Sequence, residues 1–132
     1  MKRALTLLTL MVLGGGCHKA KPDGDGQLQK VSDAFAKADL KTENFAASDA
    51  TAFHAEKCMS GKIEGVDSVV CEYGSVDALA LGKKAGEAWA ASAATAAVLG
   101  NGRILLAVAD RAHVDPNGKA IHKITHAFTH LQ

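Results

Sequence analysis

The chain reads as an α+β domain: a four-stranded antiparallel sheet from two hairpins, with three helices, in the order α-ββ-α-ββ-α. Three observations predict it. Two β-rich segments each turn back on a two-residue signal, Glu64-Gly65 and Asn101-Gly102. Three segments carry apolar residues at helical spacing before, between and after those hairpins. The composition is 48% hydrophobic but only 5% aromatic, and rich in alanine and glycine. That suits helices lying close on a sheet rather than a deep aromatic-lined cavity.

Leu28, Val31, Phe35 and Ala38 fall on one helical face, with Gln29, Lys30, Asp33 and Lys37 opposite. They predict a helix over 27–39, with Asp25 as its N-cap. Residues 40–53 show no period and are expected to be irregular. The segment EKCMSGKIEGVDSVVCEY then folds about Glu64-Gly65. Met59 opposes Val70 and Ile63 opposes Val66 on one side. Lys62 opposes Asp67 on the other, and Lys57 opposes Glu72. In that register Cys58 faces Cys71 at a non-hydrogen-bonded position, where Cα atoms stand ~4.5 Å apart. That separation is within disulfide range.

Ser75 caps a second helix over 76–92. Leu79, Gly82, Gly86 and Ala90 form one ridge, with Trp89 beside it. Lys83, Lys84 and Glu87 interrupt the surface, so the glycine spacing points to close packing on a sheet, not to membrane dimerisation. In TAAVLGNGRILLAVAD, a turn at Asn101-Gly102 sets Val98 against Leu105 and Leu99 against Ile104. Both faces of this hairpin are apolar. It should lie centrally, covered on both sides, or be covered by a partner. Asp115-Pro116-Asn117-Gly118 is a turn, and KAIHKITHAFTHL a third helix that buries Ile121, Ile124, Phe128 and Leu131.

The start of the chain carries a different signal. Lys2 and Arg3 precede an apolar run from Leu5 to Leu13. The run is far below the ~20 residues of a membrane span and matches the apolar region of a secretory signal. Gly14, Gly15 and Gly16 lead straight into Cys17. This resembles the lipobox of bacterial membrane lipoproteins, although that family usually has leucine where this chain has Gly14. The resemblance covers residues 1–17. It implies a signal peptide, 1–16, cut before Cys17, a diacylglycerol on the Cys17 sulfur, and an acylated (palmitate-type) amino terminus. Two or three such chains hold a protein stably on a membrane. His18, rather than aspartate, favours the outer membrane, facing the periplasm. Residues 17–26 then form the lipidated cysteine and a flexible tether that spans ~15 Å as a random coil. Residues 27–132 form a single α+β domain. In such an oxidising compartment Cys58 and Cys71 are expected to form a disulfide. It would contribute up to ~3 kcal/mol for a loop of about 14 residues.

Without Lys2 and Arg3, the 15 basic residues become 13 against 14 acidic ones. A near-neutral domain of about 115 residues has no electrostatic footprint for nucleic acid. The partners implied are the membrane, through the anchor, and a protein of an envelope assembly.

His122, His126 and His130 recur every fourth residue on the last helix, a spacing at which two imidazoles can share a metal ion. The first and third are ~12 Å apart along the axis, so at most two chelate one ion. A third ligand would come from His113 or a neighbouring molecule. The stripe points away from Ile121, Ile124 and Phe128, and is expected to be a solvated face with no metal. His122, His126 and His113 are the candidates if it is not. There is no Gly-x-Ser-x-Gly elbow, no HExxH and no phosphate loop. Asp110-Arg111 reads as an ion pair or a binding-site edge. Glu56, Glu64 and Asp67 fall in hairpin pairs and turns. The sequence therefore predicts a non-catalytic, cofactor-free, lipid-anchored envelope protein with a small disulfide-bonded binding or structural domain. The alternative is a periplasmic metal-binding or sensing lipoprotein that uses the histidine stripe.

Overall fold

The computed structural model describes residues 25–131. The expected signal segment, Cys17, His18 and most of the expected tether lie outside them. The elements are α1 (Asp25–Lys37), β1 (Thr42–Ser48), a short 3-10 turn η1 (Thr51–Phe53), β2 (Lys57–Ile63), β3 (Val66–Glu72), α2 (Val76–Ala90), β4 (Ala96–Asn101), β5 (Ile104–Ala109) and α3 (Lys119–Thr129). One antiparallel sheet runs in the order β1-β2-β3-β5-β4. The α+β class and the three helices stand. The sheet has five strands, not four.

The additional strand is β1, in the stretch expected to be irregular. It is an edge strand, mostly exposed, so one face has no reason to be apolar and period-two alternation fades. A bulge between Glu43 and Ala46, with Asn44 at φ 52°, interrupts the pattern further. Bulges and charges are common guards on a strand edge.

Helices cover the sheet on both faces. α1 and α3 lie on one, where Leu28, Val31, Phe35, Ile63, Val66, Val70, Leu106, Val108, Ile121, Ile124 and Phe128 form the larger core. α2 and η1 lie on the other, over Phe53, Cys58, Val69, Cys71, Tyr73, Leu79 and Leu105. β5 is buried along its whole length because it has strands on both sides and helices on both faces. Its partner β4 forms the second edge.

The first hairpin has every expected pair: Lys57 with Glu72, Cys58 with Cys71, Met59 with Val70, Lys62 with Asp67, and Ile63 with Val66. Glu64 and Gly65 both have positive φ, as a type I′ turn requires. Glu64 is held there from both ends. Its N–H donates to the Lys41 carbonyl at 2.8 Å, and its Oε1 accepts from the Lys41 N–H at 3.0 Å.

The second hairpin is shifted by two residues from the expected register. Asn101 pairs with Ile104, Leu99 with Leu106, and Val98 with Ala107. The turn is Gly102-Arg103. Asn101 is drawn into β4, where its Nδ2 donates to the Phe128 carbonyl at 3.0 Å. Gly102, at φ +61°, takes the first turn position, where a positive angle is needed. A two-residue shift leaves every side chain on its expected face.

The Ser75 hydroxyl accepts from the Ala78 N–H at 3.1 Å and caps α2. The helix buries Leu79, Gly82, Gly86 and Ala90, the expected ridge, and ends at Ala90 rather than residue 92. A Cβ at Gly82 would stand 2.0 Å from the Tyr73 hydroxyl, so only glycine lets the ring pass. α3 is capped less directly. Gly118, at its N-cap position, has no side chain to offer, and the Asp115 carboxylate serves instead. It accepts from the N–H groups of Ala120 and Ile121 at 3.0 and 2.9 Å. The Asp110 carboxylate in turn accepts from the N–H groups of Val114 and Asp115 at 3.0 and 2.8 Å. α1 starts at Asp25, so that residue opens the helix instead of preceding it.

Candidate functional site

The disulfide lies beneath η1 on the α2 face. β2 and β3 place Cys58 and Cys71 directly opposite each other, and the two are bonded with Cα atoms 4.1 Å apart. Both are buried, at 3% and 0% exposure, so they act as a structural cross-link within the core.

α2 packs on β4 and β5 and leaves part of the sheet open on its own face. There a groove of about 350 Å³ is lined by Ser48, Asp49, Phe53, Ser60, Asp67 and Trp89, among others. Trp89 and Phe53 meet edge to face, with ring centroids 6.2 Å apart. The Arg111 guanidinium lies 4.2 Å from the centroid of the Trp89 ring, donates to the Trp89 carbonyl, and stands 3.3 Å from Asp67 Oδ2. One arginine thus joins the loop after β5 to β3 and α2. The adjacent pair Asp110-Arg111 therefore divides: Asp110 turns inward to backbone N–H groups, and Arg111 borders the groove through Asp67. The Arg111 and Asp67 side chains are each about a third exposed, at 34% and 33%. Their value is positional more than energetic. Asp49 accepts from the Thr51 N–H at 2.9 Å. That bond, and after it the Thr51 hydroxyl, holds the Asp49 carboxyl below the usual carboxylate range.

A larger groove, about 830 Å³, lies between the start of α1 and the β1–β2 edge. Leu28, Ala47 and Met59 give it an apolar wall, and Lys30, Asp33 and Glu56 are among its charged lining. Both are open surface grooves in which apolar side chains lie beside hydroxyls and charges. Glu64 lies in the first turn, as expected, and Glu56 in the larger groove.

His122, His126 and His130 are exposed on α3, as the helical wheel requires. The His122 and His126 ring centroids are 6.3 Å apart, and those of His126 and His130 4.1 Å and stacked. His113 lies in the loop before α3, exposed, at φ 56°. Among the described residues no three histidines, cysteines or carboxylates gather into a group that could hold a metal ion. His122, His126 and His113, the candidates if the stripe did bind metal, form no such group. Nor is any helix among the described residues long and apolar enough to cross a membrane.

Sequence reasoning missed the Arg111–Trp89–Phe53 row. The one available signal was that Trp89 falls beside, not on, the buried ridge of α2. Comparison of the chain with protein-family models, with curated proteins and with solved structures finds no match in any of the three.

Proposed function

We propose that this chain is a lipid-anchored protein of a bacterial envelope whose disulfide-bonded domain binds a partner or serves as a structural component, with no chemistry of its own. The observation that carries the reading is the leader: Lys2-Arg3, a short apolar run and three glycines ending in Cys17. The Cys58–Cys71 bond is consistent with it, since such bonds persist outside the reducing cytoplasm. His18 supports the outer membrane, and the two grooves supply surfaces for a partner in an envelope assembly. The near-neutral charge of the processed chain supports a partner other than nucleic acid.

Intact mass of the protein recovered from membranes tests the anchor. The expected species starts at acylated Cys17 and is about 2 Da lighter than its dithiol form, the two hydrogens lost on oxidation. A Cys17→Ala variant should leave the membrane fraction, and palmitate label should be lost with it. A variant that still partitions with membranes, in cells where the wild type takes no label, overturns the reading. Cross-linking in the native envelope tests the assembly role. A protein that runs only as a monomer removes it.

A further inference from the structure

We propose that the outer face of α3 docks against an anionic phospholipid surface, and that acidification strengthens the contact. Lys119, His122, Lys123, His126 and His130 are all exposed. Their spacing, i, i+3, i+4, i+7 and i+11, places them in one stripe about 100° wide. Ile121, Ile124 and Phe128 are buried on the opposite side. No aspartate or glutamate follows Asp115 in the chain, so no side chain within the helix neutralises the stripe.

The surroundings leave it positive. α3 packs against α1, β4 and β5. β4 and β5 carry no charged residue. α1 carries two of each sign, Asp25, Lys30, Asp33 and Lys37. In the loop before α3, Asp110 and Asp115 are buried and bonded to backbone N–H groups, and Arg111 is turned to Asp67. His113 is exposed there and adds to the basic side. Two lysines hold the stripe positive at neutral pH, and its three histidines gain charge between pH 8 and 5. The His126 and His130 rings are stacked with centroids 4.1 Å apart. Two imidazolium rings so placed repel each other, and an anionic layer above them offsets the repulsion. Proton uptake and docking therefore reinforce each other.

The shape fits a surface rather than a pocket. From Lys119 to His130 the stripe runs ~17 Å along the helix, and neither groove includes an α3 residue. The apolar side of α3 is committed to the core, so the contact is electrostatic and stays at headgroup level. α1, where the chain enters the described domain, shares its sheet face with α3. A membrane as the partner rests on the envelope reading proposed above. The stripe itself needs no acyl chain.

Sedimentation with vesicles tests the surface separately from the anchor. The protein used is the chain from residue 18, which has neither leader nor Cys17 and contains both cores entire; circular dichroism checks every variant. The vesicles are phosphatidylcholine alone, or phosphatidylcholine with about a third phosphatidylglycerol. In low salt the chain should partition onto the anionic vesicles at least tenfold better at about pH 5.5 than at about 7.5. It should leave phosphatidylcholine unbound, and high salt should release it. Lys119→Gln with Lys123→Gln should weaken binding about tenfold at both pH values, while Lys83→Gln with Lys84→Gln, on the opposite face of the sheet, stays within about twofold. Changing His122, His126 and His130 together to Gln should cut the pH gain below about threefold, and His54→Gln should keep it. Equal binding to neutral vesicles overturns the proposal, as does equal weakening by the α2 and α3 lysine pairs. So does a pH gain that survives loss of the three histidines. Tighter binding to polyglutamate than to anionic vesicles overturns it too, since the partner would then be an acidic protein.

Discussion

Tyr73 shows most directly how one side chain organises the α2 face. It is the only tyrosine in the chain, 1% exposed, and its hydroxyl donates to the Phe53 carbonyl at 2.8 Å. Burial pushes its pKa from 10.0 up to about 12. The neutral phenol is the form the fold favours. Its contribution to stability is therefore complete below pH 10, where an unfolded tyrosine starts to ionise, and is lost as pH rises through about 12. The phenolate absorbance of the folded protein should appear near pH 12, and that of the urea-unfolded chain near 10. Tyr73→Phe should remove this alkaline loss and lower stability by about 1 kcal/mol at neutral pH. Gly82→Ala should be worse. Its Cβ would meet the ring at 2.0–2.7 Å, so the helix must shift, at about 1–3 kcal/mol by thermal denaturation. The glycine ridge was legible from the sequence because helical period alone selects the face. The partner that demanded glycine was not, because Tyr73 reaches Gly82 only after β3 and α2 have docked.

The helix caps and hairpins show what local pattern can and cannot specify. Asp115 caps α3 from three residues before the N-cap position, holding two N–H groups at once. Asp115→Ala should destabilise by about 1–2 kcal/mol, and Ser75→Ala, with a single exposed bond, by no more than about 1 kcal/mol, in urea titrations. The Asp-Pro-Asn-Gly turn was readable. The reach of its first residue was not, since it needs the chain to curl through Gly118 first. In the first hairpin the charges, apolar pairs and cysteines all agree on one register, so the sequence contained the answer. In the second, Ala97 to Leu99 and Ile104 to Ala109 are all apolar, and a slip by two places no side chain on a wrong face. What separates the two registers is the Asn101 bond to Phe128, a contact across 27 residues. β1 escaped notice for the opposite reason: an exposed edge has little pattern to read.

At the scale of the molecule, β3 and β5 form the shared wall between two cores. Hydrogen exchange should therefore be slowest in β3 and β5 and fastest, among strands, in β1. Equal protection across the sheet would contradict this. The candidate sites were legible to different degrees. The cysteine pairing came from hairpin register. The exposure of the histidine stripe came from helical spacing, and the stacking of His126 on His130 did not. The grooves were hidden, because α1, η1, β1–β3 and α2 assemble them from residues distant in sequence.

The location of the sulfur–sulfur link within one hairpin has a consequence for maturation. Backbone pairing alone brings the two thiols face to face, so the polypeptide should reach its tertiary arrangement before any oxidant acts. Closure then needs no reshuffling by an isomerase. Refolding the reduced chain and adding oxidised glutathione should give a single product in one kinetic step, and a chain carrying Cys58→Ser with Cys71→Ser should still fold, with a lower melting temperature.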